Sequence, residues 1–253
     1  MMSQDRSGFF SSIPLVTKNL MIITVLCWIA SLTLPRINID LVQWLGLHFP
    51  GTSDFYIFQF ITYMFMHDTH SIQHIFFNMF AVFMFGRVLE GVWGAKRFLI
   101  FYLITGIGAG IVQELVCLVR IMPFIQELPF EAVDLVRSEG AAALRQGMNY
   151  TDPLMAELNL FMSSTTVGAS GAVFGILLAF GMLFPNAPLY VMFIPIPIKA
   201  KYFVIGYGVI ELFLGISGGD NVAHFAHLGG MLFGFFMIRY WKKKDQDNGR
   251  YFY

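Results

Sequence analysis

The chain has 253 residues, of which 57% are hydrophobic, 17% aromatic and 13% charged, and its 16 basic and 16 acidic residues give no net charge. Soluble domains carry about a quarter charged residues, so this composition excludes an ordinary soluble domain. No strongly basic surface is expected, which argues against nucleic acid as a partner. The length and hydropathy instead predict one polytopic membrane domain, because each spanning helix uses about 20 residues.

Six long apolar runs, bounded by charged residues or proline, predict six spanning helices in an all-α membrane protein. In chain order they cover residues 18–34, 71–90, 97–119, 167–184, 201–217 and 222–240. The predicted six-helix domain therefore occupies residues 18–241, between a cytoplasmic N-terminal segment (1–17) and a cytoplasmic basic tail (242–253). The first run lacks a small-residue cleavage site, so we expect a retained helix rather than a signal peptide.

The distribution of Lys and Arg predicts the orientation, with both termini on the cytoplasmic side. The basic residues left on the outer side are Arg36, Arg120, Arg137 and Arg145. Two outer connections are long. The first, residues 35–70, has an aromatic density typical of a segment in the membrane interface, with a solvated loop as the alternative. The second, residues 120–164, is expected to form one or two short amphipathic helices within residues 130–146.

Polar groups inside spans are costly, which makes each one a candidate for function. The second span has His74 and Asn78 at an i,i+4 spacing, the fourth opens with Ser170 among glycines, and the sixth has His227. Taken alone, each has another explanation. The serine could serve close helix packing, and His74 and Asn78 could form hydrogen bonds between helices. His227 could be a metal ligand or a proton relay. The predicted orientation places all four about 5 to 12 Å below the outer surface, which indicates one site.

This set of residues favours acyl transfer, with Ser170 as nucleophile and His227 as its general base. Because the tetrahedral intermediate carries an oxyanion, it needs donors already in place. The predicted donors are His74, the side-chain amide of Asn78 and the backbone N–H of Ser170 at a helix N-terminus.

Other polar groups in the spans are assigned structural roles. Glu211 is predicted to lie deeper, near the middle of the bilayer, so we expect a Ser–His dyad rather than a triad. We assign Glu211 to helix packing, through a hydrogen bond to a neighbour. His224 is interpreted as a packing or hydrogen-bonding residue. Cys27 and Cys117 lie in apolar runs and are interpreted as packing residues rather than a disulfide or a metal pair.

Four segments, taken together and in this order, resemble the rhomboid family of intramembrane serine proteases. They are HIFFNM (74–79), residues 86–102, GASGAVFG (168–175) and AHFAHLGGMLFG (223–234). The resemblance implies a six-helix rhomboid bundle with Ser170 as nucleophile, His227 as base, and His74 and Asn78 on the oxyanion side. It also implies a serine-type endopeptidase that cleaves single-span membrane proteins within or next to their transmembrane helix, with no cofactor and no metal.

Several expectations accompany this interpretation. The histidine that such proteases often carry before the second helix matches either His67 or His70. The partners would be transmembrane substrates, admitted past the second or fifth span, and the lipid bilayer. Because no transit-like presequence is evident, we expect a bacterial inner (plasma) membrane, with the site open to the outer face. The alternatives are an inactive rhomboid-like protein that binds membrane clients in quality control, and a transporter or channel, which the shallow polar cluster disfavours.

Overall fold

The structure is a computed structural model that describes residues 12–190, 196–217 and 223–248. The described part is mostly helical. Its helices are α1 (Leu15–Thr33), α2 (Leu41–Leu45), α3 (Gln59–Thr62), α4 (Ile72–Ala81), α5 (Arg87–Trp93), α6 (Ala95–Glu127), α7 (Phe130–Arg145), α8 (Pro153–Met162), α9 (Ser170–Leu183), α10 (Ala200–Ser217) and α11 (His224–Asp247). A π-helical turn, Val82–Gly86, joins α4 to α5, and β1 (Pro188–Leu189) pairs antiparallel with β2 (Ile198–Lys199).

Four helical stretches are long and apolar enough to cross a membrane. They are Leu15–Ile37, Ile72–Trp93, Ala95–Glu127 and Ala200–Ser217. The chain is thus a helical membrane protein with four candidate spans among the residues that the structure describes. The predicted count of six is not confirmed, because α9 has 14 residues and a length of about 21 Å. The other unconfirmed helix, α11, places two histidines and Arg239 in its apolar stretch.

Two helix boundaries differ from the limits predicted for the spans. Helix α6 extends past residue 119 to Glu127, and Ile121 in this extension packs on the helices above it. Helix α9 starts at Ser170, three residues after the predicted limit, because Gly168 has a φ of 126°, which an α-helix cannot contain. Most of the predicted N-terminal segment and the end of the basic tail lie outside the described residues.

The second outer connection contains one helix in the predicted stretch, α7, and a second helix, α8, which begins after that stretch and was not predicted. They pack on the far end of α6 and on the first outer connection through an apolar cluster. Its buried members are Phe49, Cys117, Ile121, Val133, Val136, Leu158 and Met162. An ion pair of 2.6 Å between Arg145 and Asp54 adds a polar link between the two connections. We call the end of the bundle that carries α7 and α8 the cap face.

Helix α9 lies at the centre of the bundle between α6 and α11, and most of its residues are buried. Its contact with α11 is a backbone contact: a Cβ atom added at Gly230 would overlap the carbonyl oxygen of Gly171. Glycine at both positions therefore lets the two helices approach closely. At the other end of α11, Asp245 accepts two hydrogen bonds, of 2.8 and 2.7 Å, from Arg97 of α6. Both ends of α11 are held in place.

Candidate active site

Ser170 is the first residue of α9, and the close contact between Gly171 and Gly230 brings it beside the first turn of α11. His227 lies in that turn. The Oγ atom of Ser170 is 2.8 Å from Nε2 of His227. The serine side chain is half-buried and that of the histidine is buried, so the hydroxyl lies at the edge of the protein interior. A serine and an imidazole at this distance have the geometry of a nucleophile and its base.

The other ring nitrogen of His227, Nδ1, lies 2.8 Å from Oε2 of Glu211 on α10. Since an ionised carboxylate only accepts hydrogen bonds, Nδ1 carries the proton. Nε2 is then free to accept the proton of the Ser170 hydroxyl. The three side chains form a continuous Ser170–His227–Glu211 chain. The predicted hydrogen bond from Glu211 to a neighbouring helix is present, since the carboxylate joins α10 to α11, but Glu211 does not lie deeper than the site, as was predicted.

The error in the depth of Glu211 could have been avoided. At 1.5 Å per residue, Glu211 lies about 9 Å from the end of α10 at Ser217, which is the depth predicted for the other site residues. A carboxylate inside an apolar span is also a functional candidate in its own right. The depth below the outer surface, calculated from the rise per residue for every span, would therefore have selected Glu211 together with Ser170 and His227.

His224 shares the same carboxylate: its Nδ1 lies 2.6 Å from Glu211 Oε2. This agrees with the predicted hydrogen-bonding role, now with a named partner. The ring of His227 is further fixed by Phe174, which stacks on it with centroids 4.2 Å apart and planes at 5°. Tyr207 of α10 also contacts this phenylalanine, with ring centroids 4.9 Å apart. The orientation of the base is therefore determined by one carboxylate and one aromatic face.

His74, on α4, faces Ser170 across Gly168. The point where a Cβ atom at Gly168 would lie is 2.9 Å from Nε2 of His74 and 3.6 Å from Oγ of Ser170. Because the position is a glycine, this space stays open. The backbone N–H of Asp68 lies 3.4 Å from Nδ1 of His74, which makes Nδ1 the acceptor and leaves the proton on Nε2. His74 can thus donate into the space beside Ser170.

Asn78 is buried one turn after His74, and its side-chain amide donates to the backbone carbonyl of His74 at 2.8 Å. No hydrogen bond joins Asn78 to Ser170 or His227 in the described part of the chain. The structure therefore brings together three of the four predicted site residues. The fourth supports the helix that carries His74.

The two histidines of the loop before α4, His67 and His70, differ in burial. His67 is fully buried, its ring centroid is 5.0 Å from that of His74, and its Nε2 lies 3.5 Å from the backbone N–H of Ala169. Burial, together with the neighbouring His74, lowers the pKa of His67 to about 3. The side chain of His70 is exposed. His67 is therefore the histidine that lies against the candidate site.

Among the residues that the structure describes, Glu211, His224 and His227 could together hold a metal ion, since their ligand atoms lie within 4.8 Å of one another. Two histidines and one carboxylate are a donor set that zinc accepts. In this structure the separations of 2.6 and 2.8 Å are those of direct hydrogen bonds between the side chains. Ligand atoms around a tetrahedral zinc ion lie about 3.3 Å apart, so a metal would require the donors to separate.

A comparison with protein-family models matches residues 18–251 to the family described as "Eukaryotic integral membrane protein (DUF1751)". No curated protein matches the chain. The family match contradicts two expectations drawn from the sequence. The assignment to the rhomboid proteases is wrong, because the model that covers nearly the whole chain describes a different family. The bacterial inner membrane is wrong as well, since the matched family is eukaryotic; the lack of a transit-like presequence does not distinguish these hosts.

Proposed function

The chain belongs to this family of eukaryotic integral membrane proteins, and we propose that it is an intramembrane serine endopeptidase that cleaves single-span membrane proteins. The observation that carries the proposal is the Ser170–His227–Glu211 chain, with two consecutive contacts of 2.8 Å. Nucleophile, base and orienting carboxylate are the parts of a serine hydrolase, and they are recognised by geometry rather than by fold.

In the proposed reaction, Ser170 Oγ attacks the carbonyl carbon of the scissile peptide while Nε2 of His227 takes the hydroxyl proton. Glu211 stabilises the imidazolium ion that forms, through the hydrogen bond at Nδ1. The imidazolium then gives its proton to the leaving amine, which departs as the acyl-enzyme forms. Water, deprotonated by His227, hydrolyses the ester and returns the serine hydroxyl.

Two donors support the negative oxygen of each tetrahedral intermediate. One is Nε2–H of His74, which borders the open space at Gly168. The other is the backbone N–H of Ser170, since the first N–H groups of a helix have no partner within it. Donors already oriented toward the developing charge supply a large part of the catalytic effect in enzymes of this type.

The proposal includes a membrane arrangement. With α9 and α11 added to the four candidate spans, six helices form the bundle, and both termini face the cytoplasm by the distribution of Lys and Arg. Substrates would arrive as transmembrane helices from the lipid. The half-buried position of Ser170 fits a nucleophile reached from a wet cavity at the cap face.

A fluorophosphonate probe tests the nucleophile in the purified, full-length protein. We expect covalent labelling that disappears in Ser170→Ala, while Ser163→Ala, a serine outside the hydrogen-bonded chain, labels like the wild type. A reconstituted single-span reporter substrate then distinguishes a peptidase from another serine hydrolase. Labelling that persists in Ser170→Ala would refute the nucleophile, and labelling without any reporter cleavage would refute the peptidase assignment.

A further inference from the structure

A short pattern in the second outer connection has no part in the proposed hydrolysis. Asn149, Tyr150 and Thr151 form the only Asn-x-Ser/Thr triplet among the 253 residues. With any residue except proline in the middle, this triplet is the acceptor pattern for an N-linked oligosaccharide. Because so short a pattern also arises by chance, its structural setting decides whether the asparagine can be an acceptor.

The triplet lies in the turn between α7 and α8, on the cap face. Asn149 and Thr151 are exposed, whereas Tyr150 between them is half-buried. The hydroxyl of Tyr150 donates a hydrogen bond of 3.1 Å to the backbone carbonyl of Leu135 on α7. The tyrosine therefore holds the turn against α7, while the asparagine and the threonine on either side of it face solvent. Both side chains that the acceptor pattern requires are accessible at the surface.

The side-chain amide of Asn149 has room for a sugar without losing its contacts. Its Nδ2 donates one hydrogen bond, of 3.1 Å, to the backbone carbonyl of Ala156. Its Oδ1 accepts from Nδ2 of Asn159 at 3.0 Å and from the backbone N–H of Tyr150 at 2.9 Å. A primary amide carries two N–H hydrogens, so the second is available in the part of the chain that the structure describes. Since a glycosylated asparagine keeps one N–H and its carbonyl, all three contacts are compatible with an attached sugar.

The position of Asn149 relative to the membrane also suits an acceptor. This step rests on the membrane arrangement proposed above, in which the cap face is the outer side, and not on the peptidase activity. Asn149 lies near the middle of the connection between Glu127, where α6 ends, and Ser170, where α9 begins, so it is far along the chain from either helix. The matched family is eukaryotic, and in a eukaryotic cell the outer side of a newly made membrane protein is the lumenal side, where N-linked oligosaccharides are added.

We propose that Asn149 carries an N-linked oligosaccharide on the lumenal side of the membrane. The donor is an oligosaccharide joined to a lipid through pyrophosphate, which the glycosylation machinery of the cell supplies. Nδ2 of Asn149 forms a bond to C1 of the first sugar as the bond between C1 and the pyrophosphate oxygen breaks. The lipid pyrophosphate leaves, and the amide gives up one of its two protons to a base of the transferring enzyme. Nothing is oxidised or reduced in this transfer.

The glycan is detected by gel mobility of the full-length protein, expressed in eukaryotic cells, before and after digestion with a peptide N-glycosidase. We expect the wild type to migrate faster after digestion, by the shift of a single glycan. Thr151→Ala removes the acceptor pattern but leaves Asn149 in place, and it should abolish the shift. The matched control is Thr151→Ser, which keeps the pattern and should keep the shift. Because the glycosidase converts the glycosylated asparagine to aspartate, peptide mass spectrometry should locate this change at Asn149.

A wild type whose mobility the glycosidase does not change would overturn the proposal, and so would a shift that persists in Thr151→Ala. A shift with the mass change at any residue other than Asn149 would equally refute it. Ser170→Ala should be glycosylated like the wild type, and Thr151→Ala should still react with the fluorophosphonate probe. The glycosylation site and the proposed peptidase therefore succeed or fail separately.

Discussion

The carboxylate of Glu211 on α10 lies 2.8 Å from Nδ1 of His227 on α11, and this contact fixes which nitrogen of the base faces the nucleophile. Replacing it should leave the imidazole in the wrong tautomer. We expect Glu211→Gln to slow fluorophosphonate labelling of Ser170 by about four orders of magnitude, the size of the effect when the triad carboxylate is replaced in serine proteases. This loss is measured by comparing the labelling rates of the purified, folded wild type and variant.

The control for this variant is Glu139→Gln, an exposed carboxylate on α7, which should label at the wild-type rate. Retention of the elution volume and helical content shows that Glu211→Gln still folds. A labelling rate within tenfold of the wild type would mean that Ser170 and His227 act as a dyad, as the sequence alone predicted.

His224 donates to the same carboxylate, at 2.6 Å, without touching Ser170 in the described contacts. It is therefore a positioning residue. We expect His224→Ala to lower the labelling rate about tenfold, equivalent to about 1.4 kcal/mol, the scale of one hydrogen bond to a charged group. His224→Asn, whose amide can still donate to Glu211, should recover most of that loss. Equal rates for the Ala and Asn variants would contradict the positioning role.

His74 and Asn78 were both predicted to donate to the oxyanion, and the structure places only His74 beside Ser170. His74 Nε2 borders the space beside Ser170, whereas the Asn78 amide donates to the His74 carbonyl. We expect His74→Ala to reduce reporter cleavage about 100-fold or more. Asn78→Ala should cost about tenfold or less, because it removes one support of the helix rather than a donor. Cleavage rates at saturating reporter measure both, and a larger loss for Asn78→Ala would reverse the assignment.

A buried carboxylate also connects two helices away from the site. Glu90 of α5 accepts hydrogen bonds from the backbone N–H groups of Val16 and Thr17, at 2.9 and 2.7 Å, and from the Thr17 hydroxyl at 2.7 Å. It thereby caps α1, whose first N–H groups have no partner within the helix. We expect Glu90→Ala to lower the free energy of unfolding in detergent by about 3 kcal/mol. Glu157→Ala, an exposed change on α8, should alter it by less than about 0.5 kcal/mol.

Hydropathy was sufficient for most of the fold. The long apolar runs predicted α1, α4, α6 and α10 because burying a spanning helix in lipid depends on length and composition, which are local properties. They could not predict the start of α9, which depends on the backbone angle of Gly168, or the extension of α6, which depends on packing against α7 and α8.

For the candidate site, Ser170, His227 and His74 could be selected from the sequence because all three are predicted at the same depth below the outer surface. It could not give the rotation of each helix about its axis, which decides where a side chain points. Nor could it give the side-chain torsions of Asn78, whose amide turns back to the carbonyl of His74 on its own helix. Glu211 was missed for a different reason, the wrong depth assigned to it. For Asn78, side-chain direction rather than position along the chain is therefore the information that the sequence did not contain.

The buried His67 makes the stability of the fold depend on pH. Its pKa is about 3 in the folded protein and about 6.5 in an unfolded chain, so between these values the unfolded state binds the proton and the folded state does not. Stability is therefore fully present above pH 6.5 and falls as the pH drops toward 3. At pH 5 the loss of folding free energy from this group is about 2 kcal/mol.

Thermal unfolding in detergent between pH 7.5 and 5 should show this loss, and His67→Gln should remove its contribution to the slope of stability against pH. His70→Gln, at the exposed histidine of the same loop, should retain the wild-type slope; equal slopes in all three proteins would show that His67 is protonated without cost.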